Sequence, residues 1–599
     1  MRILGVNSGR AAPTRCDQAL QRRLADGSAA LLVEGRIACA AIEERHRRQR
    51  YAGGFSHAAP AVLADVAVQP EAIDAIGFST CCDTHWTRAS DRIDLLVEEL
   101  AHHWPAPRLR DAWEGRVHLV DHHDSHATLA FVGSNWQRAL VCVIDGFGNR
   151  LDDNDNFHVG SDWWRGSFDR QTFYLAEWMD GRIHLKRVSE SGQCSDEIGL
   201  AELYRAVTHY CGWPSYQYAG KTMALASYGD WRKLANLSLA CATEAGHIHV
   251  ALPNHHSDPI QQLNEALRKA GYNPPGDLSR AATPQMQFLA DLAASLQHQV
   301  EAALITAVSG LCDRLDVDRV AFAGGLAMNC IGLGRLAHAR PDLKLYVPSA
   351  PGDTGQALGN ALWLAYAATS PVKEATPPAP IQTAALGPSY PASRWRSAAA
   401  GFIAAKSGFS LEAYLTSDEL AKRAADAILC GEAVGLRRGR AEYGPRALGQ
   451  CSILVDPRQP HAQLKVNAIK RREAFRPFAA SVLSEQAETC FPGAVPSPFM
   501  SFATIASEFI RQTAPGIVHI DGTTRYQTVE ADGQLLRAIL ERTNTATGMP
   551  LLLNTSLNIA GEPMAETPEE ALDVFQRSGL DALVLGDHWI TRNQQDHAL

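Results

Sequence analysis

Two segments of the chain repeat one pattern, and this repetition constrains the fold more than any other feature. In the first segment, the apolar run RILGVN (residues 2–7) precedes SAALLVEGRIACAAIEE (28–44). In the second, ALVCVIDGFGN (139–149) precedes TFYLAEWMDGRIHLKRV (172–188). The longer run of each segment has two alternating apolar stretches that meet at an acidic residue followed by glycine, which predicts a β-hairpin. Two copies about 140 residues apart predict two similar lobes.

Length and composition bound the class of protein. A chain of 599 residues exceeds the size of one growing core, so two or more domains are expected. Its 46% hydrophobic and 20% charged residues are typical of a soluble globular protein, and its net charge of −9 gives no reason to expect a nucleic-acid partner. The 13 cysteines include no CxxC pair, which favours reduced thiols in the cytoplasm. We find no signal peptide and no membrane span.

The clearest boundary is a stretch rich in Pro, Thr and Ala. It predicts a linker at 371–390, between a domain of residues 1–370 and a domain of residues 391–599. Before the linker, residues 285–315 have apolar residues at helical spacing, which predicts a long helix. This helix leads into VAFAGGLAMN, a strand, a glycine turn and a helix. Such a turn brings backbone close to a phosphate, although close packing explains it equally well.

The stretch HHDSHA is the first candidate site. If it begins a helix, His122 and His126 share a face, as two metal-ligating imidazoles must, although a merely capped and solvated helix start is the alternative. Asp145 ends the strand LVCVI and Asp353 follows the strand LKLYVP, both at loop edges where α/β sheets bind ligands. For either aspartate alone, helix capping is the commoner explanation. Together, two His and two Asp would suit Fe(II), Mn or Zn.

The second part of the chain is rich in anion-binding residue types. Arg446 lies in the turn EYGPRALG, and a basic run, KRREAFR, follows it at residues 470–476. Arginines beside Gly and Pro suit planar binding of phosphate, and Arg525 and the NTSLN cluster (554–558) would complete such a site. Surface solubilisation is the alternative, and it fits KRRE better than GPRALG. Lys221 either holds a phosphate or extends to solvent.

These motifs together resemble a known family. HHDSHA, AGKTMALASYG, AFAGGLAMN, PGDTGQALGNAL, GRAEYGPRALG, KRREAFRPFAASVL, DGTTRYQTV and NTSLNIAGEP occur in the order found in the O-carbamoyltransferases of the NodU/CmcH/TobZ type. The resemblance implies an α/β protein. Its N-terminal domain would have the duplicated actin-like (ASKHA) ATPase fold, and its C-terminal domain would be YrdC-like.

The resemblance also implies a reaction. Carbamoyl phosphate and ATP, with Mg as its counter-ion, would form carbamoyl-adenylate in the C-terminal domain. The N-terminal domain, with Fe(II) or a similar divalent metal, would then transfer the carbamoyl group to a hydroxyl of a small acceptor. Such a one-carbon-group transferase would serve antibiotic biosynthesis or other secondary metabolism, and it would work as a monomer or a homodimer. It would need no nucleic acid and no membrane.

The family's functional residues fall on positions of this chain. The implied metal ligands are His122, His126, Asp145 and Asp353. The implied nucleotide-contacting residues are Lys221, Gly324, Gly325 and Asn329. The implied carbamoyl-phosphate site comprises Arg446, Lys470, Arg476, Arg525 and Ser556. For catalysis we name His123, Asp26 and Arg525. His123 is included because it would be left free beside the metal pair.

Three positions depart from the family pattern. A His-Asp pair usually precedes the first hairpin, whereas this chain has Ala25-Asp26; Arg50 replaces a usual Lys, and Cys451 replaces a usual Arg. Two other functions therefore stay open: a tRNA threonylcarbamoyl transferase-like enzyme, and a nucleotide-binding scaffold without chemistry. The sequence does not identify the acceptor.

Overall fold

The structure is a computed structural model that describes residues 1–8, 26–79, 89–146, 169–191, 198–252, 259–274, 283–368, 380–531 and 533–593. The chain forms two compact units: Met1–Glu43 with Tyr51–Gln382, and Glu44–Arg50 with Thr383–Leu599. Ala25, the stretch before it and residues 371–379 of the predicted linker lie outside the described residues, so the exact domain boundaries stay a prediction. Glu44–Arg50 belong by their contacts to the second unit.

The first unit contains two sheets of the same topology within the described residues. The strands of the first sheet are β1 (Arg2–Asn7), β2 (Ser28–Val33), β3 (Arg36–Ile42), β4 (Ala75–Ser79) and β5 (Val117–Leu119). Those that follow are β6 (Arg138–Ile144), β7 (Gln171–Met179), β8 (Arg182–Ser191), β9 (Ala240–Ala242), β10 (Ile248–Val250), β11 (Arg319–Ala323) and β12 (Lys344–Tyr346). The two orders are β3-β2-β1-β4-β5 and β8-β7-β6-β11-β12.

Strand directions match between the two sheets as well. In each, the first three strands in sequence pair antiparallel, and the two later strands add parallel to the first one. The predicted hairpin turns have the required left-handed backbone, with φ of 49° and 71° at Glu34 and Gly35 and of 51° and 73° at Asp180 and Gly181. The predicted pair of similar lobes is confirmed.

Helices cover these sheets. Those of the first unit are α2 (Ala58–Asp65), α3 (Ala89–Leu100), α4 (Ala106–Trp113), α5 (His122–Ser134), α6 (Leu200–Tyr210), α7 (Ala219–Ala226), α8 (Pro259–Lys269), α9 (Thr283–Leu315), α10 (Cys330–Ala339) and α11 (Gln356–Tyr366). The short helix α1 (Glu43–Arg47) comes before them in sequence, and all of it except Glu43 belongs to the second unit. The long helix α9 confirms the prediction for 285–315. A Cβ on Gly5 would lie 1.8 Å from the Ala357 carbonyl oxygen, so only glycine lets α11 pack this closely on β1.

The second unit contains one mixed sheet. Its strands are β13 (Phe409–Glu412), β14 (Val434–Arg437), β15 (Cys451–Val455), β16 (Ala479–Leu483), β17 (Phe502–Ile505), β18 (Thr523–Val529), β19 (Leu551–Ser556), β20 (Ala582–Leu585) and β21 (His588–Arg592). The order is β13-β21-β20-β14-β15-β19-β16-β18-β17. Its helices are α12 (Ala392–Ala405), α13 (Ser417–Leu429), α14 (Ala462–Lys470), α15 (Ala487–Cys490), α16 (Glu508–Thr513), α17 (Leu535–Thr547) and α18 (Pro568–Arg577).

Local sequence explains where the helices of the second unit begin. Thr416 and Thr567 cap α13 and α18, and each forms a reciprocal capping box with a glutamate three residues later. The apolar face of α13 packs with α17 on the sheet through Leu420, Ile428 and Leu540. The predicted α/β class is confirmed for both units. Within the described part of the chain, no helix is both long and apolar enough to cross a membrane.

Candidate functional site

Helix α5 carries the two histidines of the candidate metal site. Its N-cap is Asp121, whose side chain accepts a hydrogen bond from the Asp124 amide at 2.9 Å. Capping therefore does not require the histidines. His122 and His126 are one turn apart and buried, with relative exposures of 1% and 0%. The predicted helical register is confirmed.

The structure brings both predicted aspartates to this pair. The Nε2 atom of His122 lies 3.1 Å from Asp145 Oδ2 and 3.4 Å from Asp353 Oδ1. The Nε2 atom of His126 lies 3.4 Å and 3.3 Å from the same two oxygens, without hydrogen-bond geometry to either. One nitrogen or oxygen from each of the four residues lies within 4.8 Å of all the others. Four donor atoms that converge this closely fit a shared cation, and two imidazoles with two carboxylates suit a first-row metal.

The pKa shifts of these four residues as a group indicate that they lack a balancing positive charge. Burial lowers the pKa of His122 and of His126, but the carboxylates of Asp353 and Asp145 outweigh it and raise both pKa values above the usual range. Burial raises the pKa of Asp145, but the two neighbouring histidines lower it well below the usual range. The two carboxylates thus favour two added protons. One divalent cation would supply the same charge.

Neighbouring groups hold the two aspartates in place. The Gly325 amide donates to Asp145 Oδ1 at 2.8 Å, which leaves Oδ2 directed at the histidines. The Asn7 side-chain amide donates to the Asp353 carbonyl at 2.9 Å and to the Asp26 carbonyl at 3.1 Å. Asp26 has a φ of 80°, so its backbone is held in a left-handed conformation beside the Asp353 loop.

His123 points away from the four converging donors. Its Nδ1 lies 2.7 Å from Thr172 Oγ1 on β7, and its buried Nε2 has no hydrogen-bond partner among the described residues. Burial and the neighbouring His122 and His126 lower its pKa well below the usual range. The imidazole therefore stays neutral at physiological pH.

Of the predicted nucleotide-contacting residues, Gly324 and Gly325 form the glycine turn, and the others lie outside it. Gly324 has a φ of 86°, and a Cβ there would lie 2.4 Å from the Ile144 carbonyl oxygen, so the turn requires glycine. Asn329 caps α10 by accepting from the Gly332 amide at 3.0 Å, and its side chain also pairs with Gln297 at 3.1 Å. Lys221 on α7 stacks over the Tyr218 ring at 4.7 Å. Contact of these side chains with a nucleotide stays a prediction.

In the second unit, Lys470 and Ser556, two residues of the predicted carbamoyl-phosphate site, lie in direct contact. Lys470 ends α14 and is 4% exposed. Its Nζ donates to Ser556 Oγ at 3.0 Å and to Asn558 Oδ1 at 2.8 Å, and to the backbone carbonyls of both residues. Burial and the nearby Arg472 and Arg476 lower its pKa well below the usual range.

The surrounding cations repel one another. Burial, Arg476 and Arg525 lower the pKa of Arg472 to about 9. Burial and Arg525 lower the pKa of His519 to about 4, against the opposing charge of Asp521. The buried Nε of Arg525 and the buried Nε2 of His519 have no hydrogen-bond partner among the described residues. This cationic group is short of negative charge, which an anionic ligand would supply.

The loop that carries Arg446 reaches the same part of the sheet. Arg525 on β18 and Asn554 on β19 both lie in register with Ala479 on the strand between them. The Asn554 side-chain amide donates to the carbonyl of Ala447, the neighbour of Arg446, at 3.2 Å. The backbone beside Arg446 is therefore hydrogen-bonded to β19, the strand that ends at Ser556, and Arg525 lies on β18 of the same sheet.

Comparison with known proteins decides the family. A family model described as the carbamoyltransferase N-terminus matches residues 20–362, and one described as the carbamoyltransferase C-terminus matches residues 425–592. The chain belongs to the carbamoyltransferase family. As an enzyme of this family it transfers carbamoyl groups, and the resemblance noted from the motifs is confirmed.

Relatives of this carbamoyltransferase include proteins of nodulation. Nodulation protein NolNO of Sinorhizobium fredii is 30% identical over 95% of this chain and 79% of its own length. Nodulation protein NolO of Bradyrhizobium diazoefficiens is 30% identical over 78% of each chain. Among solved structures, HypF of T. kodakarensis is 12% identical, with a TM-score of 0.33 over 60% of this chain and 47% of its own.

Three further residues of the second unit in this carbamoyltransferase were given no site role from the sequence. Arg472 was recognised as part of a basic run that fits a solvated surface, whereas its guanidinium stacks over Phe478 at 4.0 Å. His519 had no signal beyond its position six residues before Arg525. Cys451, the substituted position, is 2% exposed, and burial raises the pKa of its thiol to about 12. Its burial makes it an inert packing residue.

Proposed function

We propose that this protein is an ATP-dependent O-carbamoyltransferase. Its C-terminal unit would convert carbamoyl phosphate and ATP, with Mg, to carbamoyl-adenylate. Its N-terminal unit would transfer the carbamoyl group to a hydroxyl of a small acceptor in the cytoplasm. One observation carries the proposal: the chain holds both a buried His/Asp group short of positive charge and a cationic group short of negative charge. The two imbalances match a divalent cation and phosphate-bearing substrates.

The reaction in the C-terminal unit balances with one water molecule. Water cleaves carbamoyl phosphate to carbamate and phosphate, and a carbamate oxygen then attacks the α-phosphorus of ATP and releases pyrophosphate. Every species in these steps is anionic, so the catalytic requirement is charge stabilisation and orientation. Arg476 and Arg525 supply guanidinium groups that suit phosphate oxygens. Lys470, held by Ser556 and Asn558, supplies a fixed ammonium donor.

The N-terminal unit would carry out the transfer. His122, His126, Asp145 and Asp353 would hold the divalent cation, which we propose to be Fe(II) or a similar metal. When bound, such a cation polarises a carbonyl or fixes a phosphate oxygen. The acceptor hydroxyl replaces AMP on the carbamoyl carbon and loses its proton. We propose His123, a neutral imidazole, or Asp26 as the group that takes up this proton.

The test is direct. Purified protein with ATP, carbamoyl phosphate, Mg²⁺ and Fe(II) under reducing conditions should release one pyrophosphate and one phosphate per turnover. With a panel of hydroxyl compounds, an acceptor should gain the mass of one carbamoyl group. Absence of pyrophosphate under these conditions would contradict the proposal. ATP binding without turnover would favour a scaffold, and tRNA binding that weakens steeply with salt would favour the tRNA-modifying alternative.

A further inference from the structure

The segment Glu442–Gln450 carries Arg446 and has no regular secondary structure, so its backbone polar groups need other partners. The Glu442 carboxylate supplies two of them. Its Oε1 accepts from the Leu448 amide at 2.7 Å and from the Gln450 amide at 2.9 Å. Because Glu442 is 1% exposed, water does not compete for these bonds. One carboxylate oxygen thus ties the two ends of the segment together. We call this segment the Arg446 loop.

A second group holds the Arg446 loop from another part of the chain. Arg45 lies in Glu44–Arg50, the stretch that belongs by its contacts to the second unit. Its guanidinium donates to the Glu442 carbonyl, and its second terminal nitrogen donates to the Gly444 carbonyl at 2.6 Å. These carbonyls flank Tyr443, so one planar group fixes two peptides in a rigid geometry. Arg45 and Glu442 are separated by 397 positions in sequence.

Arg45 is buried, and its charge is balanced locally. It is 3% exposed, and Glu566 Oε2 lies 3.7 Å from it. The Glu566 carbonyl in turn accepts from Arg437 Nε at 3.0 Å. Two buried arginines thus stand beside two buried glutamates. Loss of one partner leaves an uncompensated buried charge at the base of the loop, which displaces the loop.

The fixed loop is coupled to the strands of the cationic group. Beyond Arg446, the Ala447 carbonyl accepts from Asn554 at 3.2 Å and the Leu448 carbonyl accepts from Gln527 at 3.1 Å. Gln527 lies two residues from Arg525 and Asn554 two residues from Ser556. Arg446 therefore lies between two fixed parts of the loop. Arg45 holds the residues before it, and the strands of the anion site hold the residues after it.

We propose that Arg45 is a positioning residue for Arg446 in the binding of carbamoyl phosphate. The inference rests on the proposed function of the C-terminal unit. Arg45 does not touch the substrate; it fixes the backbone on which the Arg446 guanidinium is presented, and Glu442 shares this role. A residue near the start of the sequence is thereby part of the carbamoyl-phosphate machinery.

The experiment measures binding of carbamoyl phosphate to the full-length protein by calorimetry, which does not require turnover. Arg45→Gln should weaken binding about tenfold or more, since misplacement by one ångström has effects of this size. Arg45→Lys retains the cation but not the two-pronged fork, and should fall between. Glu442→Gln provides an independent change to the same loop. The matched control is Arg48→Gln, because Arg48 pairs with Glu570 at 3.2 Å and donates to the Met564 carbonyl, away from the loop.

A double variant separates positioning from general damage. If Arg45 acts through Arg446, then Arg45→Gln adds less than twofold once Arg446→Gln is present, whereas independent effects multiply. Equal binding by wild type and Arg45→Gln, or multiplied effects in the double variant, would overturn the inference. If the wild-type protein itself does not bind carbamoyl phosphate, the proposed function fails and the inference fails with it. Thermal melting of each full-length variant identifies loss of fold. If Arg45→Gln does not fold, the binding of carbamoyl phosphate by Arg45→Lys decides.

Discussion

At the residue scale, the shifted pKa of the buried His126 indicates which charge its surroundings lack. It has a raised pKa although burial acts in the opposite direction, because two carboxylates face one imidazole nitrogen. Arg472 indicates a lack of negative charge, because its pKa falls to about 9 among other cations. The sequence gives the residue types in both groups. The charge imbalance becomes visible only when the side chains are placed together.

Asp145→Asn should remove most of the bound metal. The amide is a weaker ligand than the carboxylate, and it disturbs the bond from the Gly325 amide, so we expect affinity for Fe(II) to fall about 10- to 100-fold. Metal content after dialysis, measured by plasma mass spectrometry, checks this. Asp121→Asn is the matched control, because asparagine caps a helix as well as aspartate does. Equal metal retention by both variants would contradict the proposed site.

His519 should make the protein less stable in acid. Its pKa is about 4 in the folded state and about 6.5 when unfolded, so between these values only the unfolded chain takes up the proton. The free energy of unfolding therefore decreases as pH falls from 6.5 to 4, by about 2 kcal/mol at pH 5. Denaturant unfolding at pH 7 and pH 5 should show a smaller loss for His519→Gln. The exposed His461, replaced by Gln, should leave the loss unchanged; an unaltered loss in His519→Gln would exclude this role.

At the element scale, periodic and turn-forming patterns in the sequence predicted helices, strands and hairpins correctly. The two hairpins, the long helix α9, the helical start at His122 and the buried strand before Gly324 are all confirmed. These features depend on neighbours in sequence, so spacing reveals them. The bond from the Gly325 amide to Asp145 and the contact of Arg45 with the Arg446 loop depend on residues far apart in sequence. No local pattern contains that information.

Gly324→Ala should destabilise the turn between β11 and α10. The backbone has a φ of 86° and the new Cβ would meet the Ile144 carbonyl, so we expect a loss of about 2 kcal/mol or more in unfolding free energy. The same displacement should loosen Asp145 through Gly325 and lower metal content. Gly401→Ala is the control: this glycine lies on α12 with open space around its Cα, and alanine should be neutral or stabilising there. Chemical denaturation compares the two, and equal effects would show that the turn tolerates a side chain.

At the scale of the whole molecule, the two units carry separate charge imbalances, and under the proposed function each would carry out a separate step. A residue of each unit should therefore affect the two steps differently. Arg525→Ala should abolish pyrophosphate release, and with it any carbamoyl transfer, because the anion site loses a guanidinium. His126→Ala should decrease transfer to an acceptor about a hundredfold while pyrophosphate release persists. Assays of pyrophosphate and of carbamoylated acceptor on the same samples check this, and loss of both products in both variants would show that the steps are not separable.

The assignment of Glu44–Arg50 to the second unit has a consequence for synthesis on the ribosome. Strand β3 ends at Ile42, so the first unit can form its hairpin early, whereas Arg45 must wait for Glu442, 397 residues later. At about 5 to 20 residues per second, that interval lasts roughly 20 to 80 seconds. During this time a short arginine-rich stretch is in the cell without its carbonyl and carboxylate partners. The C-terminal unit therefore completes its fold only when it binds a segment that was synthesised about 400 residues earlier.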